Sequence, residues 1–172
     1  VNKAQVMIRF ITLVGGLILA QLLSAQTTIM DIQYPESTRF VRLPSGIQLA
    51  YTDEGIAADG PTLVFVHGLG SNLKCWQKNI ETLQRHTRCI ALDLPGYGKS
   101  DKGKFAFDMT FFANSLRAFV QVLNLKNVVL VGHSMGGQIA MTAVLQDSTF
   151  AQKLILLAPA GFETFSESEK AW

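Results

Sequence analysis

Apolar and polar residues follow one another along this chain in blocks that predict strands and helices in alternation. Four short, continuously apolar runs have the length and composition of buried strands: residues 62–66, 88–92, 127–131 and 153–157. Three longer segments repeat apolar residues at helical spacing: residues 76–85, 108–124 and 135–146. Ahead of them, residues 39–43 and 48–53 flank Pro44-Ser45-Gly46, whose turn chemistry predicts an antiparallel hairpin. This order predicts an α/β fold with a mostly parallel sheet.

The first 25 residues have the pattern of a targeting segment. Lys3 and Arg9 make the start positive, residues 10–23 carry no charge, and the small residues Ser24-Ala25 follow. As a helix, the uncharged stretch would be about 21 Å long, short of a bilayer core of about 30 Å. We therefore predict a cleaved signal peptide and export to the periplasm or the medium. An uncleaved membrane anchor is the alternative, and it would bring the protein into contact with a membrane.

The remaining domain boundaries follow from loops and caps. Residues 26–38, which include Pro35, are predicted to be a linker, and residues 39–160 are predicted to form the core. Ser166 and Glu169 have the spacing of a helix capping box, so residues 161–172 are expected to begin a further segment.

Composition and charge exclude several classes of function. The net charge of +2 argues against a nucleic-acid binder that uses a basic patch. Apolar residues make up 48% of the 172 residues, which is enough for one domain with a hydrophobic core. Cys75 and Cys89 fall at opposite ends of a predicted helix, roughly 15 Å apart and beyond the roughly 7 Å limit for a disulfide. We expect two buried thiols, no metal site and no cofactor.

The motif Gly132-x-Ser134-x-Gly136 lies between the apolar run at 127–131 and the helix predicted at 135–146. A strand, a sharp turn and a helix are the context in which this motif forms a nucleophile elbow. The glycines leave room where neighbouring backbone crowds the turn. The serine hydroxyl would then project at a helix N-terminus, whose free N–H groups favour developing negative charge.

A second glycine-rich turn follows the run at 62–66, and its sequence is His67-Gly68-Leu69-Gly70. Acyl transfer needs two N–H donors for the oxyanion. We predict the Met135 amide as one donor and the Leu69 amide as the other. Dinucleotide binding by Gly68 and Gly70 is disfavoured, because Leu73 stands where the third glycine of that fingerprint would be.

Three stretches together resemble the α/β-hydrolase superfamily, in its order and at plausible spacing. They are residues 67–70 with Trp76 a little later, residues 93–100 and residues 132–137, and the resemblance covers about residues 39–160. It implies the N-terminal six strands of that fold, with the third strand beside the fifth. It also implies that Ser134 is the nucleophile and that residues from 161 onward begin a cap over the site. The residues that support the site would be His67, Gly68, Gly132, His133 and Gly136.

The family's acid and histidine follow the nucleophile, yet no histidine follows Ser134 here. His86 is predicted on the surface and His133 packed and hydrogen-bonded. His67 is expected to brace the oxyanion loop, with a role as substitute base as the weaker alternative. Without a catalytic histidine, the chain is expected to be either a fragment of a longer enzyme or a catalytically inactive remnant. The apolar run at 154–157, left as an uncovered edge, favours a fragment. We expect this polypeptide alone to be insoluble or inactive.

Other residues near the predicted site have structural interpretations. Asp93 is expected to fix its loop as a hydrogen-bond acceptor, and Lys99 and Ser100 to lie on the surface. Trp76 is expected to anchor the core. Four phenylalanines could line an acyl pocket but more often such a cluster is core packing: Phe105, Phe107, Phe111 and Phe112.

The sequence therefore predicts a serine hydrolase that acts on a carboxylic ester or related acyl bond of an apolar small molecule. Carbon–carbon bond hydrolysis, lipase or perhydrolase chemistry would suit the same core, because the cap and pocket set the substrate. A binding module that keeps the fold without turnover is the alternative from another class of function.

Overall fold

A computed structural model of the chain describes residues 33–56 and 60–162, and residues from 34 onward belong to one unit. The predicted signal peptide or anchor, most of the predicted linker and the capping box at Ser166 lie outside the described residues. Within the described ranges, no helix has the length and apolar character needed to span a membrane.

Six strands form one mixed sheet, in the spatial order β1-β2-β4-β3-β5-β6. The strands are β1 Arg39–Arg42, β2 Gln48–Glu54, β3 Thr62–Val66, β4 Arg88–Leu92, β5 Val128–His133 and β6 Lys153–Leu157. β1 and β2 are antiparallel to their neighbours, while β3, β4, β5 and β6 run parallel. The predicted hairpin, the parallel sheet and the neighbouring of β3 and β5 are confirmed. Three strands have the predicted bounds, and β5 runs two residues further, to the residue before Ser134.

A short 3-10 helix and three α-helices connect the strands. The 3-10 helix is Leu73–Trp76, and the α-helices are α1 Gln77–Leu83, α2 Met109–Val122 and α3 Met135–Gln146. The segment predicted as one helix at 76–85 begins earlier, because the Asn72 side chain accepts a hydrogen bond from the Lys74 amide and caps the 3-10 turn. Asp108 caps α2 in the same way, through the Phe111 amide.

The two faces of the sheet bury different cores. On one face, α2 and α3 pack against strand residues such as Val64, Ile90 and Leu130. On the other face, Phe65, Ala91 and Val131 pack with residues of the 3-10 helix and α1. Alternate strand residues point to opposite faces, so neighbouring positions in β3, β4 and β5 enter separate clusters. Burial on both sides explains the apolar composition of β3, β4 and β5.

The second face is covered less completely than the first. α1 has only seven residues, and Ile155 and Leu157 of the edge strand β6 remain 46% and 43% exposed. Their register partners in β5 are Val131 and His133, which places them on the α1 side of the sheet. The exposed apolar edge expected from the sequence is therefore present on this face.

The two thiols differ from each other. Cys89 in β4 is buried, as expected, and burial raises the pKa of its thiol to about 11. Cys75 is exposed, and the expectation of a buried thiol there was wrong. The reason is that Cys75 belongs to the 3-10 helix, where Leu73 and Trp76, and not Cys75, turn toward the core. Both cysteines are free.

Packing of α2 supplies a stability test with a matched control. Leu116→Ala removes a fully buried side chain from the core shared by α2 and α3, and we expect the free energy of unfolding to fall by about 2–5 kcal/mol. Leu145→Ala makes the same substitution at a side chain that is 88% exposed, and it should change the free energy of unfolding by less than about 0.5 kcal/mol. Chemical denaturation measures both. Equal effects would contradict the packing described.

Candidate active site

Ser134 lies in a tight turn between β5 and α3, with φ 51° and ψ −121°. A residue with a side chain rarely adopts positive φ, and holding it there costs on the order of 1–3 kcal/mol. Surrounding hydrogen bonds hold the turn. The Ser134 N–H donates to the Leu157 carbonyl at 3.1 Å, and the Ser134 carbonyl accepts from Gly137 at 2.9 Å and from Ala160 at 3.0 Å. The predicted strand–turn–helix geometry of an elbow is present.

The glycines of the elbow are required by close backbone approach. A Cβ atom on Gly136 would overlap the carbonyl groups of Val66 and His67 at the end of β3. A Cβ on Gly132 would lie 2.6 Å from the Gly136 carbonyl oxygen. Gly137, which the sequence motif does not include, has the same constraint, since its Cβ would lie 2.7 Å from Pro159. The first turn of α3 thus packs directly on backbone.

The predicted oxyanion loop lies against Ser134. A Cβ built on Gly68 would be 3.2 Å from the Ser134 Cβ. The Ser71 N–H donates to the Gly68 carbonyl at 3.3 Å, and Gly70 has φ 65°, the pattern of a type II turn with Leu69 in its second position. Within the described ranges, neither the Leu69 amide nor the Met135 amide has a hydrogen-bond acceptor. Both donors are free, while their role as an oxyanion hole stays a prediction.

His67 is fully buried behind this loop and uses both ring nitrogens. Nε2 accepts a hydrogen bond from the Leu94 N–H at 3.1 Å, and Nδ1 lies 2.8 Å from the Gly68 carbonyl oxygen. Because an amide N–H can only donate, the geometry requires a neutral ring with its proton on Nδ1. Burial lowers the pKa of His67. This geometry agrees with the expected bracing role and leaves no nitrogen free to accept a proton from Ser134.

His133 directly precedes Ser134, and its burial differs from the prediction. We predicted that the His133 side chain is packed in the strand–helix junction, but it is exposed. The cause is its position at the end of β5, where it faces the incompletely covered side of the sheet. There it lines a cavity of about 270 Å³ with Cys75, Trp76, Asn79 and Leu157. His86 is exposed near the other end of the sheet, as predicted.

Asp93, at the end of β4, is fully buried and collects hydrogen bonds. Its Oδ1 accepts from the Leu73 amide at 2.7 Å, and its Oδ2 accepts from the Lys99 amide and the Tyr34 hydroxyl, both at 2.8 Å. The expected loop-fixing role agrees with this geometry. Tyr34 was missed, because no periodicity or motif distinguishes it within the predicted linker. Desolvation and the neighbouring Asp93 raise the pKa of the Tyr34 phenol above its usual value.

Ser100 was wrongly expected on the surface. It is 2% exposed, and its hydroxyl donates to the Asp93 carbonyl at 2.7 Å while accepting from the Ala50 amide at 2.9 Å. Ser100 therefore connects the loop after β4 to β2. Lys99 is exposed as predicted, and its ammonium lies 4.6 Å from the centre of the Tyr34 ring.

The four phenylalanines form one aromatic cluster. Phe105 stacks on Phe111 with ring centres 5.3 Å apart, and Phe111 meets Phe112 edge to face at 5.4 Å. Phe112 is buried in the core, whereas Phe107 is 45% exposed. Phe112 belongs to the core beneath α2 and Phe111 packs against it, which agrees with the core-packing interpretation more than with an acyl pocket.

The described residues contain no group of three or more His, Cys, Asp or Glu side chains arranged to hold a metal ion. The groups that the described residues present at this edge of the sheet include a serine hydroxyl, two amides without an acceptor, an exposed imidazole and the exposed thiol of Cys75.

A family model for the alpha/beta hydrolase fold matches residues 61–172. The chain belongs to the α/β-hydrolase family. The matched range contains the loop at 67–70, the loop that begins at Asp93 and the elbow at Ser134, so the resemblance inferred from these motifs is confirmed.

The proteins to which this α/β-hydrolase chain is similar are named for different activities. The uncharacterized hydrolase YugF of Bacillus subtilis is 40% identical over 102 residues, which cover 59% of this chain and 37% of YugF. Epoxide hydrolase 2 of Caenorhabditis elegans is 31% identical over 144 residues, covering 78% of this chain and 40% of that protein. The structure of an esterase from Exiguobacterium antarcticum matches with a TM-score of 0.68 and 32% identity, over 76% of this chain and 48% of the esterase. The chain spans less than half the length of each of these relatives.

Buried His67 predicts a pH dependence of stability in this α/β-hydrolase domain. Burial lowers its folded-state pKa below the ordinary 6.5, so the unfolded chain binds the proton more tightly. The contribution to stability is fully present above pH 6.5 and is lost as the pH falls through the lower, folded pKa. His67→Gln should flatten the decline in the free energy of unfolding below pH 6.5, measured by denaturation across pH. His86→Gln, at an exposed site, should leave the wild-type decline intact, and a decline that persists in His67→Gln would count against this assignment.

Proposed function

We propose that this chain supplies the nucleophile and the oxyanion hole of a serine hydrolase that cleaves a carboxylic ester or related acyl bond. Ser134 Oγ attacks the carbonyl carbon, and the Leu69 and Met135 amides stabilise the oxygen on which negative charge develops. The acyl group transfers to Ser134, the alcohol leaves with a proton, and water then hydrolyses the acyl-enzyme.

One observation carries this proposal. Ser134 holds a strained positive φ at the start of α3 and lies against Gly68, beside two amides that have no acceptor among the described residues. A serine in an ordinary helix cap has extended backbone and uses its hydroxyl to bond an amide, whereas the Ser134 side chain makes no capping hydrogen bond. A strained serine and two unpaired donors are what acyl transfer requires, and a binding module has no need of them.

The choice of an ester as substrate rests on a separate observation. The esterase from Exiguobacterium antarcticum, with 32% identity, acts on that class by its name. Epoxide hydrolysis, the activity named for the relative from Caenorhabditis elegans, is an alternative outcome of a substrate screen. The core alone does not decide between them, because pocket and cap set the substrate.

A serine hydroxyl needs a base to take its proton. Among the described histidines, His67 has both nitrogens engaged, and His133 is adjacent in sequence on the exposed end of β5. We therefore propose that neither of these histidines is the base that takes the proton from Ser134. The products of the reaction are a carboxylic acid and an alcohol.

Labelling tests the nucleophile directly. We expect a fluorophosphonate probe to modify the full-length protein once, at Ser134, as located by peptide mass spectrometry. Ser134→Ala should abolish labelling and lower hydrolysis of p-nitrophenyl butyrate by at least about 10³-fold. Ser45→Ala changes an exposed serine in the hairpin turn and should do neither. Labelling that survives Ser134→Ala would remove this serine from the mechanism.

Leu69→Pro tests the oxyanion hole with little change of shape. Proline lacks the N–H and is favoured at the second position of a type II turn, and the Leu69 side chain is 73% exposed. We expect kcat to fall by about 10²–10³-fold, as for loss of one oxyanion donor, with KM nearly unchanged. Leu69→Ala keeps the amide and should retain most of the activity. Equal kcat values for the two variants would assign the donor elsewhere.

A further inference from the structure

The loop that carries the Leu69 amide is fixed at both of its ends by one pair of consecutive residues. At its start, His67 Nε2 accepts the Leu94 N–H at 3.1 Å. At its end, the Leu73 N–H donates to Asp93 Oδ1 at 2.7 Å. Between these two points, the Gly68 carbonyl accepts from the Ser71 N–H at 3.3 Å and lies 2.8 Å from His67 Nδ1, and both contacts stay within the loop. Its position over Ser134 therefore depends on the end of β4.

The carboxylate of Asp93 is held by neutral donors alone. It is fully buried, and it forms no ion pair in the part of the chain that the structure describes. Lys99 contributes its backbone amide, not its ammonium, and Tyr34 contributes its hydroxyl. A buried carboxylate is costly to leave with an incomplete set of hydrogen bonds. The three donors and Asp93 thus form one unit, in which a change at Tyr34 reaches the loop through the carboxylate.

We propose that Asp93, together with the Tyr34 hydroxyl bound to it, is a positioning residue for the oxyanion hole. This inference rests on the proposed function. Asp93 touches neither substrate nor Ser134, and it acts by fixing where the Leu69 N–H points. Tyr34 lies in the segment ahead of β1 and donates the third hydrogen bond to Asp93. This segment therefore contributes to the positioning of the oxyanion loop and is more than a linker.

The surroundings of Tyr34 support this assignment over mere packing. Gly98 has φ 49°, and a Cβ there would overlap both the Asp93 carboxylate and the Tyr34 hydroxyl. The loop after β4 thus leaves room for this hydrogen bond with a glycine. Lys102 closes the same loop, its ammonium donating to the carbonyl oxygens of Tyr97 at 3.1 Å, Gly98 at 2.6 Å and Ser100 at 2.6 Å.

Asp93→Asn is the main test, on the full-length protein with p-nitrophenyl butyrate. Asparagine has nearly the shape of aspartate, but its NH₂ group can only donate. It would therefore face an N–H or O–H donor where the carboxylate oxygen now accepts a hydrogen bond. We normalise kcat to the number of active sites titrated with a fluorophosphonate. We expect this kcat to fall by about 10- to 100-fold, as for a catalytic group displaced by around 1 Å. KM should change by less than about twofold. Hydrogen exchange of residues 67–73 should become faster than in the wild type. Tyr34→Phe should lower kcat on the order of threefold, since Lys99 still donates to the same oxygen.

Asp53→Asn is the matched control. It removes a carboxylate that pairs with Arg88 at 2.7 Å, at the opposite end of β4, and it should lower thermal stability without changing kcat per site or exchange of the loop. If Asp93→Asn does not fold, Tyr34→Phe alone decides. Unchanged kcat per site, or exchange that rises equally across the whole domain, overturns the proposal. If the fluorophosphonate does not label the wild-type protein, the proposed function is wrong. The positioning role is tested separately, because unchanged hydrogen exchange of the loop in Asp93→Asn would contradict it.

Discussion

The backbone contact between α3 and the end of β3 is the constraint on which the rest of the site depends. Gly136 lies so close to the carbonyls of Val66 and His67 that no side chain fits between them. This contact presses the start of α3 onto the sheet, and the chain leaving β5 has to turn within one residue to reach it. Ser134 is that residue, and its positive φ follows from the contact. The conformation of Ser134 is thus a product of packing between glycine and backbone.

Much of this arrangement could be predicted, because it rests on local rules. Apolar runs predicted β3 to β6, and the turn chemistry of Pro44-Ser45-Gly46 predicted the hairpin of β1 and β2. The elbow was predictable because the glycines at 132 and 136 have a single steric purpose. Placing the oxyanion loop required the added knowledge that β3 and β5 are neighbours, which the family resemblance supplied and the sheet order confirmed.

The residues that were misjudged are those whose surroundings come from distant parts of the chain. Ser100 was expected on the surface, but it is buried, and its hydroxyl accepts a hydrogen bond from the Ala50 amide of β2. Tyr34 gave no signal, because its partner Asp93 is 59 residues away. Cys75 and His133 were expected to be buried, and both border the side of the sheet that α1 covers only in part. The periodicity of apolar residues predicts which face of an element a residue occupies. It does not predict whether another element packs on that face.

The exposed stripe of Ile155 and Leu157 has a consequence for whatever covers it. Leu157 belongs both to that apolar stripe and to the wall of the cavity beside His133. A polypeptide segment that shelters the stripe from water will therefore also close one side of that cavity. Burial of the stripe and the shape of the cavity wall are thus coupled through a single side chain.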